Sequence, residues 1–264
     1  MKAKKFLTCL LTAALAVSLC ACFGTQAEKP KLIIGSDEYA PYNYTDETGE
    51  PAGLDVELAR EACARIGYEP VFRKINWDSR DELLAGGGVD CLWSCFSMDG
   101  QESDYDWVGP YMRSRQVVAV LYDSEVQRLA QLQEKTVAVR VGSKAETLFL
   151  RHAETNIPAV QTVFCLSSMD EVATALRNGY VDAVAGYGAA VREALREGGI
   201  SYRFLDEELG HANLGIAFAK DGDRELQRKL TQALKEMQAD GTTKRILEGY
   251  GIDTEKALGS IRYE

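Results

Sequence analysis

The chain has 264 residues, 46% of them hydrophobic and 27% charged, a globular balance that excludes a disordered or fibrous protein. Lys and Arg total 30 against 40 Asp and Glu, a formal charge of -10 that argues against nucleic acid or an anionic lipid face as the main partner, since acidic surfaces repel phosphates. The 2 histidines, His152 and His211, stand far apart, so neither a metal site nor a histidine-based catalytic centre is expected, and no cofactor.

At the start of the chain, Lys2, Lys4 and Lys5 form a positive stretch before the apolar run from Phe6 to Leu19. That run is shorter than the roughly 20 residues a permanent membrane helix needs and reads as an export signal over residues 1–21. Leu19-Cys20-Ala21-Cys22 follows and resembles a bacterial lipobox, with Cys22 the lipidated new N-terminus; an ordinary secretory cut near Ala21 is the alternative. Residues 22–30 then form a tether. The expectation is an exported protein held to the outer face of the cell membrane by an N-terminal lipid. Cys63, Cys91, Cys95 and Cys165 remain for the folded part, form no C-x-x-C pair, and read as small buried hydrophobes.

Regular patterning begins with a strand at 31–35. Asp55 is placed to cap a helix to Ile66, whose apolar stripe of Val56, Leu58, Ala59, Ala62, Cys63 and Ile66 ends at Gly67. A strand at 70–74, a helix at 78–85 and a strand at 89–93 follow. Gly86-Gly87-Gly88 lies after a helix and before a strand, the reverse of a phosphate cradle, and reads as a helix stop. After a strand at 117–121 the series restarts with a strand at 136–141. Ser143 to Glu146 and Ser168 to Glu171 are capping boxes opening helices, each after a β-rich run, which predicts repeated βα units and a parallel sheet. Strands at 160–166, 181–185, 202–204 and 214–219 and a helix at 189–197 continue the alternation. Leu226, Leu230, Ala233, Leu234 and Met237 make one face of a long helix ended by Gly241, and a shorter helix spans about 243–248.

The ordered runs IGSDEYAPYNYTDETGEPAGLDVELARE, NWDSRDELLAGGGVDCLWSCFSM, YDWVGPYMRSRQVVAV, TVAVRVGSKAET and LGIAFAKDGDRELQRKLTQALKEMQADGTTKRI resemble extracellular solute-binding proteins of the polar amino-acid type (family 3), the receptors of ABC importers. The resemblance covers the chain beyond its tether. It implies an α/β, two-lobed, periplasmic-binding-protein-like fold (type II), each lobe a mostly parallel sheet flanked by helices. Lobe 1 would comprise 31–120 and 214–264, lobe 2 121–213, joined by two hinge crossings. It further implies a monomer that traps a small polar, amino-acid-like ligand as the lobes close and docks on a membrane permease, with no catalytic residue.

The family's site residues carry over with changes. The arginine that usually holds a ligand carboxylate falls at Gln101 in Ser97-Met98-Asp99-Gly100-Gln101-Glu102, or at Glu102 if the spacing shifts by one. The aspartate that usually holds the ammonium falls at Tyr187, and the hydroxyl pair opening the second-lobe helix is Ser143-Lys144. Asp37, Tyr39, Tyr42, Trp77, Cys95 and Ser97 complete the expected ligand-binding set. Lys144, beside the free N–H groups of a helix start, reads either as an anion anchor or as a solvated surface lysine. Arg113 and Arg115 read either as a second guanidinium source or as surface ion pairs. Two other readings stand beside capture: a dehydratase-like enzyme using Glu102 as acid or base and Lys144 as carboxylate anchor, and a sensor or accessory lipoprotein that has lost its transport ligands.

Overall fold

Lys31–Ser36 (β1) and Glu69–Lys74 (β4) pair in parallel through the helix Leu54–Ile66 (α1) that crosses between them, and Cys91–Ser97 (β5) pairs in parallel on the other side of β1. These residues belong to a computed structural model in which 28–151 and 157–263 are described; the expected export signal, most of the expected tether and His152 lie outside them. Tyr44–Thr45 (β2) and Pro51–Ala52 (β3) make a small hairpin before α1. A 3-10 turn at Trp77–Ser79 precedes Arg80–Ala85 (α2), which stops at Gly86 as its sequence predicts.

The sheet is continuous, in the order β4-β1-β5, Gly210–Phe218 (β11), Asp106–Leu121 (β6), Ala183–Tyr187 (β9), Thr136–Arg140 (β7) and Thr162–Leu166 (β8), with Tyr202–Phe204 (β10) paired to β6. Its spine is the 16-residue strand Asp106–Leu121 (β6), whose first part pairs antiparallel with Gly210–Phe218 (β11) and whose last part pairs with Ala183–Tyr187 (β9) and Tyr202–Phe204 (β10). Gln116 is the switch, pairing with Gly210 on one side and Tyr187 on the other. Beyond it Thr136–Arg140 (β7) and Thr162–Leu166 (β8) add parallel strands. Each lobe therefore mixes parallel βα strands with antiparallel pairing to the strands that cross between lobes.

Alternation along β6 sends Val117 and Ala119 into the larger core and Val118 and Val120 into a second-lobe core with Leu132, Val137, Val139, Leu148 and Phe149. Lys144–Arg151 (α3), Met169–Arg177 (α4) and Gly188–Glu197 (α5) flank the second lobe's strands. Arg224–Ala239 (α6) buries Leu226, Leu230, Ala233, Leu234 and Met237, the face read from their spacing, and Thr242–Gly249 (α7) and Thr254–Leu258 (α8) complete the described chain.

Two local readings change. Asp55 does not cap α1: Gly53 precedes the helix, and Asp55 is buried in its first turn with its carboxylate turned inward. Cys63, Cys91 and Cys95 are buried, but Cys165 is exposed because β8 is the outer strand of its sheet and presents most of its residues to solvent.

Candidate functional site

Between the two lobes lies a cleft of about 620 Å³ at the carboxyl ends of β1, β5 and β7, where open α/β sheets place their ligands. Of the ten expected ligand-binding residues, nine line it together: Asp37, Tyr39, Trp77, Cys95, Ser97 and Gln101 from the first lobe, Ser143, Lys144 and Tyr187 from the second. Tyr42 does not. It is fully buried behind the wall, its hydroxyl bonded to Ser114 at 3.0 Å and its ring 5.8 Å from Tyr187, because the tight turn before α1 folds it into the core.

The first-lobe side is built from strand ends. Asp37 follows β1; its carboxylate accepts from Ser94 Oγ at 2.7 Å, and its backbone N–H donates to the same oxygen at 3.3 Å. Tyr39 stacks on Tyr42 at 5.9 Å and meets Tyr187 edge-on at 6.2 Å, so aromatic rings from both lobes close the floor. Cys95 sits there with φ 41°, held by its N–H to Asp55. Trp77 packs edge-to-face on Phe96 at 4.9 Å, with the Arg80 guanidinium 5.3 Å over its ring. Beyond β5 the chain turns: Gln101 Nε2 donates back to the Ser97 carbonyl at 3.1 Å, while the Asp99 carboxylate accepts both N–H (2.9 Å) and Nδ2 (2.8 Å) of Asn213.

The second lobe contributes the start of α3. Ser143 Oγ accepts the Glu146 N–H at 3.2 Å, half of the predicted capping box, but the Glu146 carboxylate reaches one residue further back, to the Gly142 N–H at 2.8 Å. Ser168 and Glu171 repeat the departure, the glutamate binding the N–H of Ser167. Lys144, the first helical residue, extends its ammonium to 3.5 Å from the Asp99 carbonyl in the opposite lobe, and among the described residues no carboxylate stands within ion-pair distance of it.

Several residues absent from the sequence-based set also line the cleft, and one of them reaches across it. Arg140, at the end of β7, crosses to lobe 1, where its Nη2 donates to the Asp37 carboxylate and its guanidinium lies 4.8 Å over the Tyr39 ring. Burial opposes its charge, but the Asp37 carboxylate outweighs that and raises the Arg140 pKa. The signal was a lone arginine ending the apolar strand TVAVR, two residues before Gly142. Burial pushes the Tyr39 and Tyr187 phenols and the Cys95 thiol well up, so all three stay neutral, and the thiol lacks the thiolate character a nucleophile needs. Glu102, Arg113 and Arg115 lie off the cleft; Arg115 pairs with Glu208, and Glu102 is exposed on a separate depression. Among the described residues no three His, Cys, Asp or Glu side chains gather as metal ligands would.

Two lobes built on crossing strands, with polar groups converging from both on one cleft, define the class of bilobal solute-binding folds. The sequence profile of bacterial extracellular solute-binding proteins, family 3, matches residues 32–253, and the chain belongs to that family. The histidine-binding periplasmic protein of Salmonella typhimurium is 27% identical over 230 residues, covering 83% of this chain and 87% of the relative. The structure of Tv2483 bound to L-arginine superposes with a TM-score of 0.76 at 26% identity, covering 89% of this chain and 96% of the other. The ancestral amino-acid-binding protein AncCDT-1, a precursor of cyclohexadienyl dehydratase, superposes with a TM-score of 0.71 at 25% identity, covering 83% and 95%.

Proposed function

We propose that the cleft captures a small, carboxylate-bearing, amino-acid-like solute outside the cytoplasm by closure of the lobes, and that the loaded protein, tethered by a lipid on Cys22, delivers it to an ABC permease. The carrying observation is Lys144: a cation without a carboxylate partner among the described residues, at the start of a helix, facing lobe 1 across the cleft. A ligand carboxylate there would meet the ammonium and the first N–H groups of α3 together. Gln101 and Tyr187 stand where the family's usual charge partners are expected, which supports a binding mode shifted towards lobe 2. The ligands named for the relatives, histidine and arginine, support an amino-acid frame for the solute.

The test is thermal stability against a panel of amino acids, amines, small peptides and dicarboxylates, with product analysis of each mixture. A ligand bound only by the folded protein must raise its melting temperature by mass action. A rise with a carboxylate-bearing solute and no product supports capture; no rise across the panel contradicts it.

The relation to a dehydratase precursor keeps the enzyme reading as the second one. Its acid or base, Glu102, is exposed, and its hydrogen bonds to nearby backbone N–H groups hold its carboxyl low, the opposite of what a general acid near neutral pH requires. Conversion of a panel member by the purified protein would favour that reading.

A further inference from the structure

In the first lobe, Asp37, Ser94 and Tyr39 assemble what recognition of an organic cation requires: a carboxylate oriented by a hydroxyl, next to an aromatic face. The site is already filled, by a group of the chain itself. The Arg140 guanidinium enters from the second lobe, bonds the Asp37 carboxylate and covers the Tyr39 ring at 4.8 Å. Only 16% of the Arg140 side chain and 10% of that of Asp37 remain exposed, so the contact is an inner one and not a solvated surface pair.

We propose that Arg140 is a built-in occupant of the cleft's cation site and makes this protein select against cationic solutes, in favour of neutral or acidic ones. The proposal rests on the capture reading above and names the class of solute that reading leaves open. A free ammonium or guanidinium would have to displace a tethered one, which competes at the effective concentration of an intramolecular group. Among the described residues no other inner carboxylate of the cleft is available: Asp99 is committed to Asn213 and Glu146 to the Gly142 N–H, while Asp78 and Asp104 lie exposed. The cations are placed differently, since Lys144 faces the cleft with no carboxylate within ion-pair distance among the described residues. A cationic solute therefore meets a satisfied acid and a lysine with no carboxylate in ion-pair distance, whereas an anionic one finds that lysine open to it.

Titration calorimetry with L-arginine, L-lysine, L-glutamine and L-glutamate on the wild type, Arg140→Leu and Arg140→Gln tests this. The glutamine variant removes the guanidinium, so a cationic solute can reach Asp37, while its amide can still hydrogen-bond neighbouring groups if the leucine variant folds poorly. The wild type should bind the neutral or acidic probe and bind the cationic probes at least about tenfold more weakly. Both variants should gain about tenfold or more for L-arginine or L-lysine, and Asp37→Asn added to either should abolish the gain. Wild-type preference for a cationic probe overturns the proposal, as does a folded variant that keeps its glutamine or glutamate affinity and gains nothing for cations. If no folded protein binds any probe, the capture reading fails and this proposal fails with it, an outcome separate from either of those.

Discussion

The Asp55 carboxylate accepts the backbone N–H of Cys95 at 2.6 Å, and through that bond the first turn of α1 holds the cleft floor. Cys95 has φ 41°, a left-handed conformation that an L residue adopts only when its surroundings impose it. Asn43 Nδ2 at 3.1 Å and the Tyr111 hydroxyl at 2.9 Å donate to the same carboxylate.

Burial pushes the Asp55 carboxyl up to about 7 from its ordinary 3.8, against the pull of these three donors. An acid with a raised folded pKa binds its proton more tightly when folded. Its contribution to stability is therefore full below about 3.8 and lost as pH rises through about 7. Between pH 4 and pH 8 the unfolding free energy of the wild type should lose, relative to Asp55→Asn, an amount on the order of a few kcal/mol as the buried carboxyl ionises. Equal pH slopes in the two proteins would place the titration elsewhere.

Lys144→Ala should weaken a carboxylate ligand by roughly 1.5 to 3 kcal/mol, the range for a hydrogen bond to a charged group, with little change in melting temperature. Lys144→Thr, which restores the family's hydroxyl, should lose much of the same affinity. Calorimetric titration reads both, and wild-type affinity in the two variants would return Lys144 to the role of a solvated helix-surface residue.

Asp99 ties the turn carrying Gln101 to β11, the second strand that crosses between lobes, through both bonds to Asn213. Removing it in Asp99→Ala strands the Asn213 N–H and should cost about 1 to 3 kcal/mol of stability by denaturant titration, with weaker ligand binding as the turn loosens. An unchanged denaturation midpoint would show that water replaces the carboxylate there.

Cys22→Ser should yield protein that carries no acyl chain and leaves the membrane fraction or stays uncleaved, with binding by the folded region unchanged. Fractionation with acyl labelling decides it. Acylated, membrane-bound protein from the variant would move the anchor to Cys20.

The βα units were legible because their signals are local: the apolar stripe of α6, the serine caps at Ser143 and Ser168, and the glycine stops at Gly67 and Gly86. The long strand β6 was legible only in its apolar end. Its first part, DWVGPYMRSRQ, mixes charged residues with Gly109 and Pro110 and earns its extended form from the partners β11 supplies. The cleft residues came from the family pattern, and nine of ten face one cavity. Tyr42 lies outside the cleft because a register match says nothing about depth, and its ring turns into the core beside Ser114. Arg140 was missed because its partner, Asp37, is 103 residues away, and no spacing rule joins the ends of β1 and β7 before the lobes meet.

The most direct test of solute capture is a calorimetric titration of the folded protein, at several temperatures, with the panel member that most raises its melting temperature. Capture between lobes lined by Tyr39, Trp77 and Tyr187 predicts saturable one-to-one binding, no chemical change in the recovered solute, and a negative heat-capacity change as apolar surface leaves water. A folded protein that shows no saturable binding, or that returns the solute altered, would contradict it.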